Sequence, residues 1–193
     1  GIVPSKISKL CSNLNIKFLH LSTEFVFDGK KKLTRSYKEN DKTNPINFYG
    51  KTKLFAEKKI LKNKYNQLIL RLCWIYSNFN KSFVYKIYKA TKKNKFINVV
   101  NDQHGCPTSA RFVSETIFKI ISTIKNKKKF KSNIYHLCPN GYVNRYEFAK
   151  KIIKRYIKKD KLVFNLNNVY PILSKDLKLL AKRPLNSKIN NMK

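Results

Sequence analysis

Residues 22–58 read STEFVFDGKKKLTRSYKENDKTNPINFYGKTKLFAEK and follow an apolar run, Ile16–Leu21. That run has the length and composition of a buried strand, with Ser22 and Thr23 at its carboxyl end. Ligands of open α/β sheets bind at that end of the strands. Asp28 to Phe48 is polar, holds Gly29 and Pro45, and is expected to form a long surface loop. From Tyr49 to about Lys64 the pattern turns helical, with Leu54, Phe55, Ile60 and Leu61 on the apolar side. Tyr49 and Lys53 are four apart, so a helix opening there points both side chains the same way. A phenol beside a fixed ammonium is a candidate proton donor. The cation favours the ionised form of a group that otherwise titrates near ~10. Thr23 adds a hydroxyl that both donates and accepts.

Upstream, Ile7, Leu10, Cys11 and Leu14 give Pro4–Leu14 a helical spacing. Downstream, a strand is expected over Leu68–Tyr76, a helix over Lys81–Lys95 and a short strand over Phe96–Val100. Helix and strand in alternation predict a parallel sheet with crossover helices. Beyond residue 100 the pattern changes. Residues 101–108 are turn-rich, an amphipathic helix is expected over Ser109–Lys125, and Ile134–Leu137 reads as a short strand. Asn144 with Glu147 three residues later is a capping pattern that opens a helix to about Lys159.

The 193 residues carry a formal charge of +33, with 42% hydrophobic residues. A buried core is therefore feasible. No apolar run reaches the ~18 residues of a membrane helix, and GIVPSKISKL lacks the pattern of a signal peptide. The expectation is a soluble, cytoplasmic protein without a membrane partner. The positive charge attracts polyanions whatever the fold. The excess, however, is nearly all lysine spread along the chain, and no RNA-recognition motif or zinc-finger spacing accompanies it. Nucleic-acid binding is not expected as the primary role. Cysteines at 11, 73, 106 and 138 form no C-x-x-C pair, so reduced thiols and no metal site are expected.

Several motifs occur in register: Ser22-Thr23, Phe25-Val26-Phe27-Asp28-Gly29, Tyr37-x-Glu39-x-Asp41, Asn44-Pro45, Tyr49-Gly50-Lys51-Thr52-Lys53 and Ala56-Glu57. Together they resemble the extended short-chain dehydrogenase/reductases of the NAD-dependent epimerase/dehydratase type, and among these the dTDP-4-dehydrorhamnose reductase family. Arg71 to Tyr76, Asp102-Gln103 with Gly105-Cys106-Pro107-Thr108, Tyr135-His136-Leu137, Tyr146-Glu147-Phe148-Ala149 and Arg183-Pro184-x-Asn186-Ser187 extend the likeness to the carboxyl end.

The resemblance implies an α/β fold: the carboxy-terminal portion of a Rossmann-type parallel sheet with a small α/β substrate-binding region. Residues 1–100 would be the second half of an NAD(P)-binding domain bearing the dyad, and 101–193 the substrate-binding region. It implies catalysis by Tyr49, Lys53 and Thr23. Tyr49 would protonate an alkoxide, while Lys53 would hold the cofactor ribose and depress the Tyr49 pKa. Thr23, Glu24 and Trp74 would bind the substrate, Trp74 packing on the sugar nucleotide. Glu24 stands where the family usually has aspartate. NADPH or NADH, a dTDP-sugar substrate, Mg2+ and pairing into a homodimer are implied in the same way.

None of the five glycines, at 1, 29, 50, 105 and 141, belongs to a glycine-rich dinucleotide turn. With Gly1 in place of methionine, this leads to the expectation that an amino-terminal part with the first strands lies outside this sequence. Two other readings stay open: a non-catalytic regulatory subunit resembling the methionine adenosyltransferase beta subunit, and a decayed remnant.

Overall fold

The computed structural model describes residues 1–77, 79, 82–177 and 180–193. In chain order the elements are α1 (Ile2–Asn13), β1 (Phe18–Thr23), α2 (Phe48–Ile60), β2 (Gln67–Leu72), β3 (Ile75–Tyr76) and α3 (Phe83–Lys93). They continue with β4 (Ile97–Val100), β5 (His104–Gly105), β6 (Thr108–Ser109), α4 (Ala110–Ile124), β7 (Asn133–Leu137) and β8 (Val143–Asn144). The last are α5 (Arg145–Asp160), β9 (Val169–Ile172) and β10 (Asn186–Ser187).

A three-stranded parallel sheet of order β1-β2-β7 carries the molecule. Every residue of β2 is buried, as a central strand covered on both faces requires. Ala56, Ile60 and Ile69 join α2 to one face, and Leu68, Leu70, Leu72, Val113 and Leu137 join α4 to the other. The expected parallel α/β architecture is therefore present. A second core, which includes Val84, Ile87, Ile97, Val99, Ile152 and Val169, holds α3, α5, β4 and β9 together. The division expected at residue 100 does not fall between sheets. β4 pairs with β9, and β7 returns from the second region to the main sheet beside β2.

Two expected elements differ. The strand read over Leu68–Tyr76 is broken between β2 and β3, because Trp74 adopts a left-handed backbone, φ 43°. Bulky residues rarely take that conformation. The helix read over Lys81–Lys95 is α3, and Lys81 lies outside the described residues. The expected surface loop, 28–47, contains no helix or strand and is pinned by polar contacts. The Glu39 carboxylate accepts from the His136 N–H at 2.9 Å, and the Asp41 carboxylate accepts from the Lys38 N–H at 2.7 Å. The Asn186 side chain donates to the carbonyls of Lys31, Lys32 and Arg35. Glu39 and Asn186 thus hold this loop down, while Asp41 braces it internally.

Candidate active site

Three elements converge where β1 and β2 end. Thr23 closes β1, and its hydroxyl accepts from the Phe25 N–H, capping a single 3-10 turn over Glu24–Val26. The next element, α2, starts at Phe48 with Asn47 as its cap, the Asn47 Oδ1 accepting from Gly50 N–H at 2.8 Å. Gly50 permits the helix to press on that turn: a Cβ there would fall 2.2 Å from the Phe25 carbonyl oxygen. This contact fixes Tyr49, whose ring meets Phe25 edge-on at 5.9 Å between centroids.

Tyr49, Lys53, Thr23, Glu24 and Trp74 line one cleft of about 310 Å³, together with Arg145. All the candidate residues read from sequence therefore meet in one place. Their interactions differ from expectation in one respect. The Lys53 ammonium lies 6.0 Å from the Tyr49 ring centroid and donates to the Leu21 carbonyl at 2.9 Å. The Tyr49 pKa is raised, not depressed: burial pushes it up, the Glu24 carboxylate adds to this, and the Thr23 hydroxyl opposes both. Burial also lowers the Lys53 pKa.

Glu24 is buried, and desolvation raises its carboxyl to about 7 against hydrogen bonds from the Thr23 hydroxyl and from its own and the Trp74 backbone N–H. The Thr23 hydroxyl donates to it at 2.8 Å. Glu24 thereby connects the end of β1 to the strained residue at the end of β2. Trp74 is 7% exposed. Gly105 packs so closely that a Cβ there would lie 2.4 Å from Trp74 Cε2, and the Arg145 guanidinium sits 3.7 Å over the ring. The aromatic surface expected to meet a sugar nucleotide is thus largely occupied by protein.

Beneath the cleft, Arg71 and Glu57 form a buried bidentate pair, Nε–Oε1 3.0 Å and Nη2–Oε2 2.7 Å. The Ser22 hydroxyl donates to the same carboxylate at 2.5 Å. These bonds join α2 to β1 and β2 and fix the rotation of the helix that bears Tyr49 and Lys53. Farther along, the Asp102 carboxylate accepts from the Ser174 hydroxyl and N–H, and the Gln103 side chain donates to that hydroxyl. This part of the motif anchors a loop. Arg145 was not legible as a site residue. It is the first residue of α5, directly after the Asn144 cap, and its approach to Trp74 depends on tertiary structure.

A parallel sheet with a Tyr-x-x-x-Lys helix and a threonine at its strand ends defines the class: an extended short-chain dehydrogenase/reductase fold. The RmlD substrate binding domain family matches residues 2–193, and the chain belongs to it. The dTDP-4-dehydrorhamnose reductase of Sinorhizobium fredii NGR234 is 33% identical over 185 residues, covering 95% of this chain and 61% of that protein. The enzyme of that name from Escherichia coli K12 is 29% identical, covering 97% and 61%. Among solved structures, a dTDP-4-dehydrorhamnose reductase from Bacillus anthracis in complex with NADP superposes with a TM-score of 0.85 at 27% identity. That alignment covers 99% of this chain and 63% of the other. The chain spans about three fifths of the length of the curated relatives it matches.

The dyad side of a nicotinamide site fits these residues, since Tyr49 and Lys53 share the cleft. The glycines do not supply a phosphate cradle: the close approaches of Gly29, Gly50 and Gly105 are to Pro184, Phe25 and Trp74. Among the described residues no group of three or more His, Cys, Asp or Glu could hold a metal ion. No such group supports the Mg2+ implied by the resemblance. No described helix is long and apolar enough to cross a membrane.

Proposed function

We propose that this chain supplies the proton-donating dyad and the sugar site of a dTDP-4-dehydrorhamnose reductase. The observation that carries this reading is the meeting of Tyr49, Lys53 and Thr23 in one cleft of a chain from this family. The reaction is reduction of the C4 keto group of dTDP-4-dehydro-L-rhamnose to dTDP-L-rhamnose with NADPH. The nicotinamide, when bound, supplies the hydride that C4 gains. Tyr49 supplies the proton: its O–H bond breaks and the alkoxide oxygen takes the hydrogen, leaving a phenolate to be reprotonated from solvent. A raised Tyr49 pKa keeps the phenol fully protonated at neutral pH, the form a donor needs. The Thr23 hydroxyl, which donates to Glu24, lies beside the phenol and acts against the rise in its pKa. Lys53 holds a positive charge beside the phenolate as it forms, and its remaining N–H bonds are the ones suited to ribose hydroxyls. The sheet β1-β2-β7 acts as the remaining half of the nicotinamide-binding sheet, and the core formed by α3, α5, β4 and β9 closes the sugar side.

The test is product analysis with the native protein, NADPH and dTDP-4-dehydro-L-rhamnose. Stoichiometric dTDP-L-rhamnose is expected, with Lys53→Met strongly reducing turnover. NADPH consumption without that product would refute the assignment.

A further inference from the structure

Arg145 is held in an unusual setting for a surface cation. Its guanidinium stacks 3.7 Å from the Trp74 ring and 4.8 Å from Phe83, and its backbone N–H donates to the Gln103 carbonyl at 3.1 Å. Its Nε is buried and has no hydrogen-bond partner among the described residues. A buried donor without a partner costs about 1–3 kcal/mol, a cost recovered only when something accepts from it. Its charge is balanced in part by the buried Glu24 carboxyl on the same cleft, which leaves the donor itself without an acceptor. Arg145 also lies over the aromatic face that a sugar would otherwise use, so the cleft meets the guanidinium there. It shares the cleft with Glu24, whose charge acts on it, and it stays cationic at neutral pH because burial lowers its pKa only to about 10.

We propose that Arg145 is a substrate-binding residue, and that its guanidinium and the Glu24 carboxyl together grip adjacent hydroxyls of the sugar ring. This rests on the reductase reading above. A donor fork and an acceptor on one small cleft match a vicinal diol, whose oxygens both donate and accept. The size agrees: about 310 Å³ is at the small end of ligand pockets, room for one sugar ring rather than a whole nucleotide sugar. A diphosphate is the poorer occupant, because the buried Glu24 carboxyl on the same cleft offers it no positive partner and repels it when ionised. A separate cavity of about 910 Å³, lined by Lys51, Lys182 and Arg183 among others, offers phosphates a more positive surface. The guanidinium is fixed in advance by its stacking, so little entropy is lost when it binds.

The test compares dTDP-L-rhamnose with dTDP by calorimetry on the native protein and on Arg145→Met and Arg145→Lys. The methionine keeps the contact with Trp74; the lysine keeps the charge without the fork. The proposal expects Arg145→Met to weaken dTDP-L-rhamnose binding at least tenfold (roughly one lost charged hydrogen bond) and to leave dTDP within about twofold. Arg145→Lys should fall between, and either variant alone decides the matter if the other does not fold. Unchanged dTDP-L-rhamnose affinity overturns the proposal, and so does an equal loss for both ligands, which would assign Arg145 to the phosphates. If the unaltered protein binds neither ligand, the reductase reading fails, and the proposal falls with it.

Discussion

Glu24 is the residue whose ionisation the fold alters most usefully for a test. Burial raises its carboxyl from an ordinary 4.5 to about 7, so the folded protein holds that proton more tightly than the unfolded chain. The associated stability is complete below about pH 4.5 and is lost as pH rises through about 7. The loss is on the order of 3 kcal/mol. His20 and His136 act in the opposite sense. Burial lowers both to about 4, so their contribution disappears as pH falls from 6.5 towards 4. A variant at Glu24 separates the two effects. Relative to the unaltered protein, Glu24→Gln is expected to gain stability between pH 4.5 and 8 in urea denaturation; parallel curves would contradict this. At this scale Thr23, Tyr49 and Lys53 were legible because helical spacing and a strand end decide where they point. Arg145 and the covered face of Trp74 were not, since both depend on which distant segments pack against one indole.

Between elements, the decisive contact is the Glu57–Arg71 pair, supported by Ser22. Both side chains are at most 3% exposed. Removing one partner leaves a buried charge uncompensated, which typically costs about 3–5 kcal/mol. Glu57→Gln is expected to lower unfolding stability by an amount in that range and to reduce turnover, because α2 loses its fixed rotation against the sheet. Denaturation of that variant with a change below about 1 kcal/mol would argue against the contact. Gly105→Ala tests the other wall. The added methyl meets Trp74 at 2.4 Å, with backbone on one side and the Arg145 stack on the ring, so loss of stability and a perturbed tryptophan emission spectrum are expected. Strand and helix order was readable from periodicity, as was the Asn144 cap, whose side chain accepts from Glu147 N–H at 2.8 Å. The break after β2 was not readable. It comes from a left-handed φ at Trp74, which local preference opposes and which Glu24 helps to hold through the Trp74 N–H.

On the scale of the molecule, β1 has β2 as its only strand partner among the described residues. Ile2, Val3 and Leu10 on α1, Leu14 at its carboxyl cap and Leu21 on β1 remain exposed. The dyad sits at the end of this open edge, and no glycine in the 193 residues forms a phosphate-binding turn. The 193-residue chain by itself is therefore expected to show no tight, saturable NADPH binding in a fluorescence titration. Of the chain's charge of +33, the cleft itself holds two cations and one carboxylate.

Above all of these stands the proposed role of Tyr49 as proton donor in a reduction. Its most direct test is the rate of NADPH oxidation by the native protein with dTDP-4-dehydro-L-rhamnose, before and after Tyr49→Phe. Substrate-dependent oxidation is expected, falling by roughly 10²–10⁴-fold in the variant, with dTDP binding retained. Turnover that survives the loss of the hydroxyl, or no turnover in the unaltered protein, would contradict it.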